Sequence, residues 1–71
     1  MNKPLFRSVL VKFGDTQKTL SEALGISLSR LNAKINGNNA EFTQNEILFI
    51  KSRYKLTAKE IDAIFFSEKV S

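Results

Sequence analysis

The pattern of hydrophobic and polar positions along the 71-residue chain is helical throughout. Apolar residues recur three and four positions apart, as on one face of an α-helix, and no segment alternates cleanly as a half-buried strand would. Glycines and capping residues divide the pattern into segments. We therefore predict an all-α fold of five short helices, over residues of about 3–13, 17–24, 28–36, 44–54 and 58–66. Residues 67–71 are expected to be frayed.

Two capping boxes are the strongest local signals in the chain. Thr43 is followed three residues later by Glu46, and Thr57 by Glu60. In this arrangement the threonine and the acid each satisfy a backbone N–H group at the start of a helix. Gly25 is expected to end the second helix, because glycine readily adopts the left-handed conformation that follows a helix.

The apolar faces of the five segments predict one hydrophobic core. Its expected members are Phe6, Val9, Leu10, Leu20, Leu24, Leu31, Ile35, Phe42, Ile47, Ile50, Leu56 and Ile61. Consecutive residues on a helix point 100° apart, so Phe65 and Phe66 cannot both face a small core and at least one is expected at the surface. Exposed apolar groups often mark an interface, and Ile64, Phe65 and Phe66 are therefore the candidate protein interface.

The composition excludes several classes of chemistry. The chain has no histidine and no cysteine, so disulfides, thiolate or imidazole metal sites and Cys or His catalysis are absent. We expect a protein that is not an enzyme and holds no cofactor or metal, with no small-molecule substrate. No apolar run approaches the roughly 20 residues that span a bilayer, and the N-terminus lacks a signal peptide's apolar region. We therefore expect a cytoplasmic protein of a bacterial host, with no membrane partner.

The net charge of +4 is concentrated in the N-terminal half of the chain. Residues 1–39 carry six basic and two acidic residues, whereas residues 40–71 carry five of each. A polyanionic partner such as nucleic acid explains this distribution, and so does a solvated surface with a slight basic bias. Charge alone leaves both interpretations open.

Residues 16–37 combine two short helices with the three-residue connection Gly25-Ile26-Ser27. Two helices joined in this way form a helix-turn-helix, in which the second helix projects from the body and enters the major groove of DNA. Four apolar residues are expected to hold the two helices at a fixed angle: Leu20, Leu24, Ile26 and Leu31. This segment is the candidate functional site.

The register of the segment resembles that of the lambda-repressor-like family (Cro/repressor, XRE-type). The resemblance is carried by Thr16-Gln17, Leu20, Leu24-Gly25-Ile26-Ser27, Leu31, Ile35-Asn36-Gly37 and the Thr43-Gln44-x-Glu46 helix opening. It covers residues of about 5–66 and implies a compact five-helix DNA-binding domain. The function it implies is a phage or prophage Cro-like transcriptional regulator that binds double-stranded operator DNA, with a homodimer formed through the C-terminal region.

The resemblance also implies which residues contact base edges. By position these are Leu28, Ser29, Asn32 and Ala33, near the start of the third helix. Helical geometry agrees, since four residues lie away from the side of Leu31 and Ile35: Ser29, Asn32, Ala33 and Asn36. Ser29 and Asn32 can hydrogen-bond to bases. Leu28 and Ala33 can contact thymine methyl groups.

Contacts to phosphate are expected from a second set of residues. Gln17 starts the second helix, where backbone N–H groups favour an anion, and the family uses a glutamine there on the DNA backbone. The further candidates are Thr16, Lys18, Arg30, Lys34, Asn36 and Asn38. Such contacts position the protein and make its affinity depend on salt, but they do not select a sequence.

The candidate base-reading residues depart from the family pattern. Members of the family often carry Gln, Arg or Lys where this chain has Leu28 and Ala33, and no arginine lies on the central face to bind guanine. Three alternatives follow: a site rich in A·T pairs, a low affinity, or a main partner other than DNA. The alternative function is a small modulator or antirepressor that binds the cognate phage repressor protein.

Several candidate residues have a purely structural interpretation as well. Leu28 can complete the core, Ser29 can support the first helical turn, and Asn36 can serve only as a helix-end residue. Lys18 and Lys34 can be solvated surface residues.

Overall fold

The computed structural model describes residues 1–66, so the expectation for residues 67–71 lies outside the described residues. This part of the chain contains five α-helices and no strand: α1 (Lys3–Lys12), α2 (Gln17–Leu24), α3 (Leu28–Asn36), α4 (Gln44–Arg53) and α5 (Ala58–Phe65). The all-α prediction is confirmed. Three helices end one residue earlier than predicted, because Phe13, Tyr54 and Phe66 form the C-caps of α1, α4 and α5.

Each of the five described helices has an N-cap residue whose side chain accepts a hydrogen bond from the backbone N–H group three residues later. These caps are Asn2, Thr16, Ser27, Thr43 and Thr57. The two predicted capping boxes are present at Thr43 and Thr57. Thr16 forms a third box with Thr19, in which a threonine hydroxyl takes the place of the usual Glu or Gln. The helix boundaries therefore follow from local side-chain chemistry.

Gly25 makes the short connection between α2 and α3 possible. It ends α2 in the left-handed conformation with a φ of +76°, which side chains with a Cβ atom rarely adopt. The chain then passes through Ile26 and Ser27 directly into α3. As a result, the two helices are packed against each other across a connection of three residues.

One hydrophobic core joins the five helices. Its buried members are Phe6, Leu10, Leu20, Leu31, Ile35, Ile50, Tyr54, Leu56, Ile61 and Ile64. Val9, Leu24, Phe42 and Ile47, which were also predicted in the core, are partly buried and pack against it. Tyr54 and Ile64 were not predicted there. Ile64 is only 1% exposed, which corrects its assignment to a protein interface: it lies one turn after Ile61 on the inward face of α5.

The helices form two groups within the described residues. The closest packing joins α2 to α3 on one side, and α1 and α4 to α5 on the other. We call residues 17–36 the α2–α3 pair and the other three helices the α1–α4–α5 group. None of the five helices has both the length and the apolar character needed to cross a bilayer.

Candidate nucleic-acid interface

α3 buries one face and presents the opposite face to solvent. Leu31 and Ile35 are buried, as predicted, whereas Ser29 and Asn32 are exposed. Ala33 is half-buried at the edge of this face. The residues predicted to contact bases are thus not packed inside the molecule, and the helix is anchored through its other side.

Leu28 lies at the first position of α3 and is 40% exposed. This exposure excludes the interpretation that Leu28 is a buried core residue. Ser27, immediately before it, uses its hydroxyl to accept the Arg30 N–H at 3.0 Å and so fixes the first turn of the helix. Arg30 itself is exposed. The start of α3 therefore presents an apolar side chain and a cation to solvent.

The start of α2 brings together Thr16, Gln17 and Lys18, three of the predicted phosphate contacts. The Thr16 Oγ1 accepts the Thr19 N–H at 3.1 Å, and the Thr19 Oγ1 accepts the Thr16 N–H at 2.9 Å. The Thr16 hydroxyl and backbone N–H group are therefore both used in capping α2. In helix geometry the N–H groups of Gln17 and Lys18 have no intrahelical acceptor, and the helix dipole places partial positive charge there. Gln17 is half-buried and Lys18 is exposed.

The end of α3 places two further candidates at the surface. Asn36 is the last residue of the helix and is exposed, and so is Asn38 in the following loop. The Asn38 N–H donates to the Ala33 carbonyl at 2.9 Å across the left-handed Gly37. Both amide side chains are therefore held near the C-terminal end of α3, away from its first turn.

Lys34 does not belong to this surface. Its residue is 6% exposed, and its Nζ donates to the Glu46 Oε1 and to the Glu41 carbonyl, each at 3.0 Å. Its prediction as a phosphate contact is therefore wrong, as is its alternative interpretation as a solvated residue, because the side chain turns inward to the first turn of α4. The sequence assigned Glu46 only to the cap of Thr43, so nothing in it indicated this second role.

The pKa of the Glu46 carboxyl reflects these contacts. Burial raises it, but the hydrogen bonds from the Thr43 backbone and from the Lys34 ammonium outweigh burial, and the pKa lies below its usual value. Glu46 therefore stays charged at neutral pH and holds Lys34 as an ion pair.

Asp15 is the centre of a second polar cluster, which the sequence analysis missed. The Asp15 Oδ2 accepts the Arg53 Nε at 2.8 Å and the Tyr54 hydroxyl at 2.7 Å. The Asp15 Oδ1 accepts the Arg53 Nη2 at 3.2 Å and the Thr19 hydroxyl at 2.9 Å. No pattern in the sequence indicated this cluster, because Arg53 and Tyr54, at the end of α4, lie almost 40 positions after Asp15.

Hydrogen bonds set the charge of this cluster. Those from Arg53 and Tyr54 hold the pKa of Asp15 well below its usual range. Burial, together with the hydrogen bond to Asp15, raises the pKa of Tyr54 above its usual value. At neutral pH the cluster is therefore an aspartate–arginine ion pair with a neutral tyrosine.

The two ion pairs of residues 1–66 change which charges of the basic N-terminal half are available to a partner. Lys34 and Asp15 are neutralised by residues of α4. The exposed basic residues of that half are Lys3, Arg7, Lys12, Lys18 and Arg30. On the α2–α3 pair, Lys18 and Arg30 are the exposed cations, and Glu22 is the exposed acid.

The two phenylalanines at the end of α5 have different surroundings, because consecutive residues on a helix point 100° apart. The Phe65 ring packs at 6.1 Å from the Phe6 ring and 5.2 Å from the Phe42 ring, measured between centroids. Phe66 is 58% exposed, so the expectation that one of the two phenylalanines reaches the surface is confirmed. Of the three residues predicted as a protein interface, Phe66 is the one whose side chain is mostly available to a partner.

α4 carries a further apolar surface that the sequence analysis did not single out. Leu48 is 55% exposed, and the adjacent Phe49 is exposed as well. They occur within the run Ile47–Ile50, whose continuous apolar character hides which positions face outward.

Comparisons of this chain with protein-family models, with curated proteins and with solved structures found no match. The functional interpretation therefore depends on the arrangement of the chain's own residues.

Proposed function

We propose that this chain is a Cro-like transcriptional regulator of phage or prophage origin that binds double-stranded operator DNA. In this proposal α2 and α3 form a helix-turn-helix, and α3 enters the major groove. The observation that carries it is the exposed face of α3, where Ser29 and Asn32 are free while Leu31 and Ile35 anchor the helix. A short helix held in this way can meet base edges without disturbing the core.

The exposed side chains of α3 provide the chemistry for base recognition. A side-chain amide such as that of Asn32 can bond in bidentate fashion to adenine, and the Ser29 hydroxyl can donate to or accept from any base. Leu28 offers an apolar contact to a thymine methyl group. We therefore expect an operator whose contacted positions are rich in A·T pairs.

Phosphate binding is assigned to the start of α2 and to Arg30. The free N–H groups of Gln17 and Lys18, together with the Lys18 ammonium, suit a phosphate at the helix N-terminus. Arg30 is exposed on α3 and can reach a flanking strand. Lys34 is left out of the site because Glu46 holds it.

Fluorescence anisotropy tests the proposal. A duplex selected by this protein from a random-sequence pool, and a scrambled version of it, are titrated at low and at moderate salt. We expect tighter binding to the selected duplex and affinities that fall steeply with salt. Failure to bind any duplex at low salt would contradict the proposal.

A pair of double variants makes the test specific to α3. Ser29→Ala/Asn32→Ala removes two base contacts, of which the bidentate contact of Asn32 is worth about 1–3 kcal/mol of discrimination, and is expected to weaken the preference for the selected duplex strongly. The matched control is Asn45→Ala/Ser52→Ala, which removes the same side-chain types from exposed positions of α4. The control keeps the preference.

Dimer formation is part of the proposal. Two subunits that place α3 in successive major grooves must be spaced by about 34 Å, and Phe66 is an exposed apolar group that a second copy can cover. Sedimentation equilibrium is expected to show a dimer that Phe66→Ser weakens. A protein that stays monomeric at all concentrations, with and without DNA, would contradict the proposed dimer.

The second candidate function is a small modulator or antirepressor that binds the cognate phage repressor protein. The observation that favours it is the exposed apolar side chain of Leu28 on the face proposed to read DNA. Calorimetric titration with the purified repressor, in the absence of DNA, distinguishes the two functions. Binding that Leu28→Ser weakens, together with failure to bind DNA, would favour the modulator.

A further inference from the structure

We infer that α4 sets the orientation of the α2–α3 pair through two ion pairs, one near each end of α4, and that this orientation controls specific DNA binding. The link to DNA rests on the proposed function, whereas the orientation itself is tested without DNA. Lys34, Glu46, Asp15 and Arg53 are thus positioning residues, which act through the helices they hold.

The first ion pair ties α3 to the start of α4. The Lys34 Nζ lies 3.0 Å from the Glu46 Oε1, and the same oxygen accepts the Thr43 N–H at 2.8 Å. Lys34 also donates to the Glu41 carbonyl in the loop between the two helices. The buried Lys34 ammonium therefore links α3 both to the loop that follows it and to the first turn of α4.

The second ion pair ties the start of α2 to the end of α4. The Arg53 guanidinium donates two hydrogen bonds to Asp15, which precedes the Thr16 cap by one residue. Asp15 also accepts the Thr19 hydroxyl from the first turn of α2. The segment proposed to bind phosphate is thereby connected to α4.

The position of these bonds in the fold makes them orienting contacts. The closest helix packing is within the α2–α3 pair and between α5 and its neighbours α1 and α4. Between the two groups lie the apolar core and a few polar contacts, which are the two ion pairs, the Tyr54 hydroxyl bond to Asp15 and the bond from the Asp15 N–H to the Leu10 carbonyl. Apolar burial is non-directional, whereas hydrogen-bonded ion pairs require defined donor and acceptor positions. Glu46 and Arg53 are seven residues apart, about 10 Å along the helix axis. Two attachments separated by that distance fix the rotation of one group against the other.

The energetics of the two pairs also suit this role. The Lys34–Glu46 pair is largely buried, whereas the Arg53 side chain of the second pair is 34% exposed. Replacing a buried pair by apolar or neutral groups of similar size is often neutral for stability. Removal of both charges of the buried pair, or of the more exposed Arg53 charge of the second, is therefore expected to leave a folded protein whose two helix groups are less well aligned. An alignment defect can then be separated from unfolding.

Two variants and one control test the inference. Lys34→Met/Glu46→Gln removes the first pair and keeps a side chain that can cap α4. Arg53→Met removes the second pair and leaves Asp15 bonded to Tyr54 and Thr19. The control, Lys59→Met/Glu60→Gln, makes the same two changes in the capping box of α5, which has no part in either ion pair.

Residual dipolar couplings of backbone N–H groups report the orientation directly. In the parent and the control, one alignment tensor is expected to fit all helices. In each ion-pair variant, the couplings of α2 and α3 are expected to depart from the tensor that fits α4 and α5. If both ion-pair variants fold and their couplings still fit the orientation found in the parent, the inference is overturned. Should the double variant unfold, Arg53→Met decides the result.

Anisotropy with the selected and the scrambled duplex provides the functional readout. The first double variant has the parent's net charge, so its affinity for the scrambled duplex is expected to stay within about twofold. Its affinity for the selected duplex is expected to fall roughly tenfold, as for one mismatched base pair. An unchanged preference in a misaligned variant would overturn the link to DNA. If the parent binds no duplex, the proposed function fails while the dipolar couplings still decide the orientation.

Discussion

Asp15 shows at the residue scale how one side chain can connect distant parts of a small fold. It lies between α1 and α2 and accepts hydrogen bonds from Thr19 at the start of α2 and from Arg53 and Tyr54 at the end of α4. Hydrogen bonds to a charged group are stronger than those between neutral groups. We therefore expect Asp15 to contribute both to stability and to its dependence on pH.

The pH dependence has a definite sign. The pKa of Asp15 in the folded protein lies below its value in the unfolded chain, which is about 4. Its stabilising contribution is therefore complete above the unfolded pKa and is lost progressively as the pH falls from about 4 towards the lower folded pKa. We expect Asp15→Asn to lower the free energy of unfolding by about 1–3 kcal/mol at pH 7, and by about 1 kcal/mol less than that at pH 3.

Urea unfolding of the parent and of Asp15→Asn at several pH values measures this difference. Glu46 also has a lowered pKa, so the variant retains part of the acid sensitivity. A destabilisation of equal size at pH 7 and at pH 3 would mean that the charge of Asp15 does not stabilise the fold.

The residue scale is also where sequence analysis was least informative. Lys34 was predicted to bind phosphate, yet its ammonium is held by Glu46. The cluster around Asp15 was not predicted. In both cases the decisive partner is distant in sequence, and a pattern of residue types does not specify which distant charges meet.

At the element scale the sequence was highly informative, because helix boundaries depend on neighbouring residues. Both predicted capping boxes formed, and Gly25 adopted the expected left-handed conformation. α4 is the exception in its burial pattern. Its run of apolar residues leaves Leu48 exposed, whereas Tyr54, beyond the end of the helix, is buried. When apolar residues occupy consecutive positions, periodicity does not indicate the inward face.

The caps provide a prediction for the individual helices. Thr57→Ala removes the hydroxyl that accepts the Glu60 N–H at 3.1 Å, and we expect a loss of about 1 kcal/mol in the free energy of unfolding. Thr57→Ser keeps an equivalent oxygen and is the control. Thermal or urea unfolding that shows no difference between the alanine and serine variants would contradict the assigned role of this cap.

At the scale of the whole molecule, the arrangement of charge links the fold to the proposed function. The ion pairs with α4 leave Lys18 and Arg30 as exposed cations on the α2–α3 pair. Each cation that binds a phosphate releases counterions and adds to the salt dependence of the affinity. The electrostatic part of binding is therefore expected to come from a few identified side chains.

Arg30→Gln tests this expectation. We expect the slope of log affinity against log salt concentration to become shallower by about 0.9, the value for one lost phosphate contact. Lys59→Gln changes the net charge equally at an exposed position of α5 and should leave the slope unchanged. An equal change in both variants would indicate that the overall charge, rather than Arg30, attracts DNA.

The central claim, that the exposed side of α3 and the start of α2 contact duplex DNA, is tested most directly by NMR. Amide chemical shifts are followed while the selected duplex is added to labelled protein. We predict the largest changes at Gln17, Lys18, Ser29 and Asn32, with little change at Lys59. Changes confined to α5, or none at any DNA concentration in low salt, would contradict the claim.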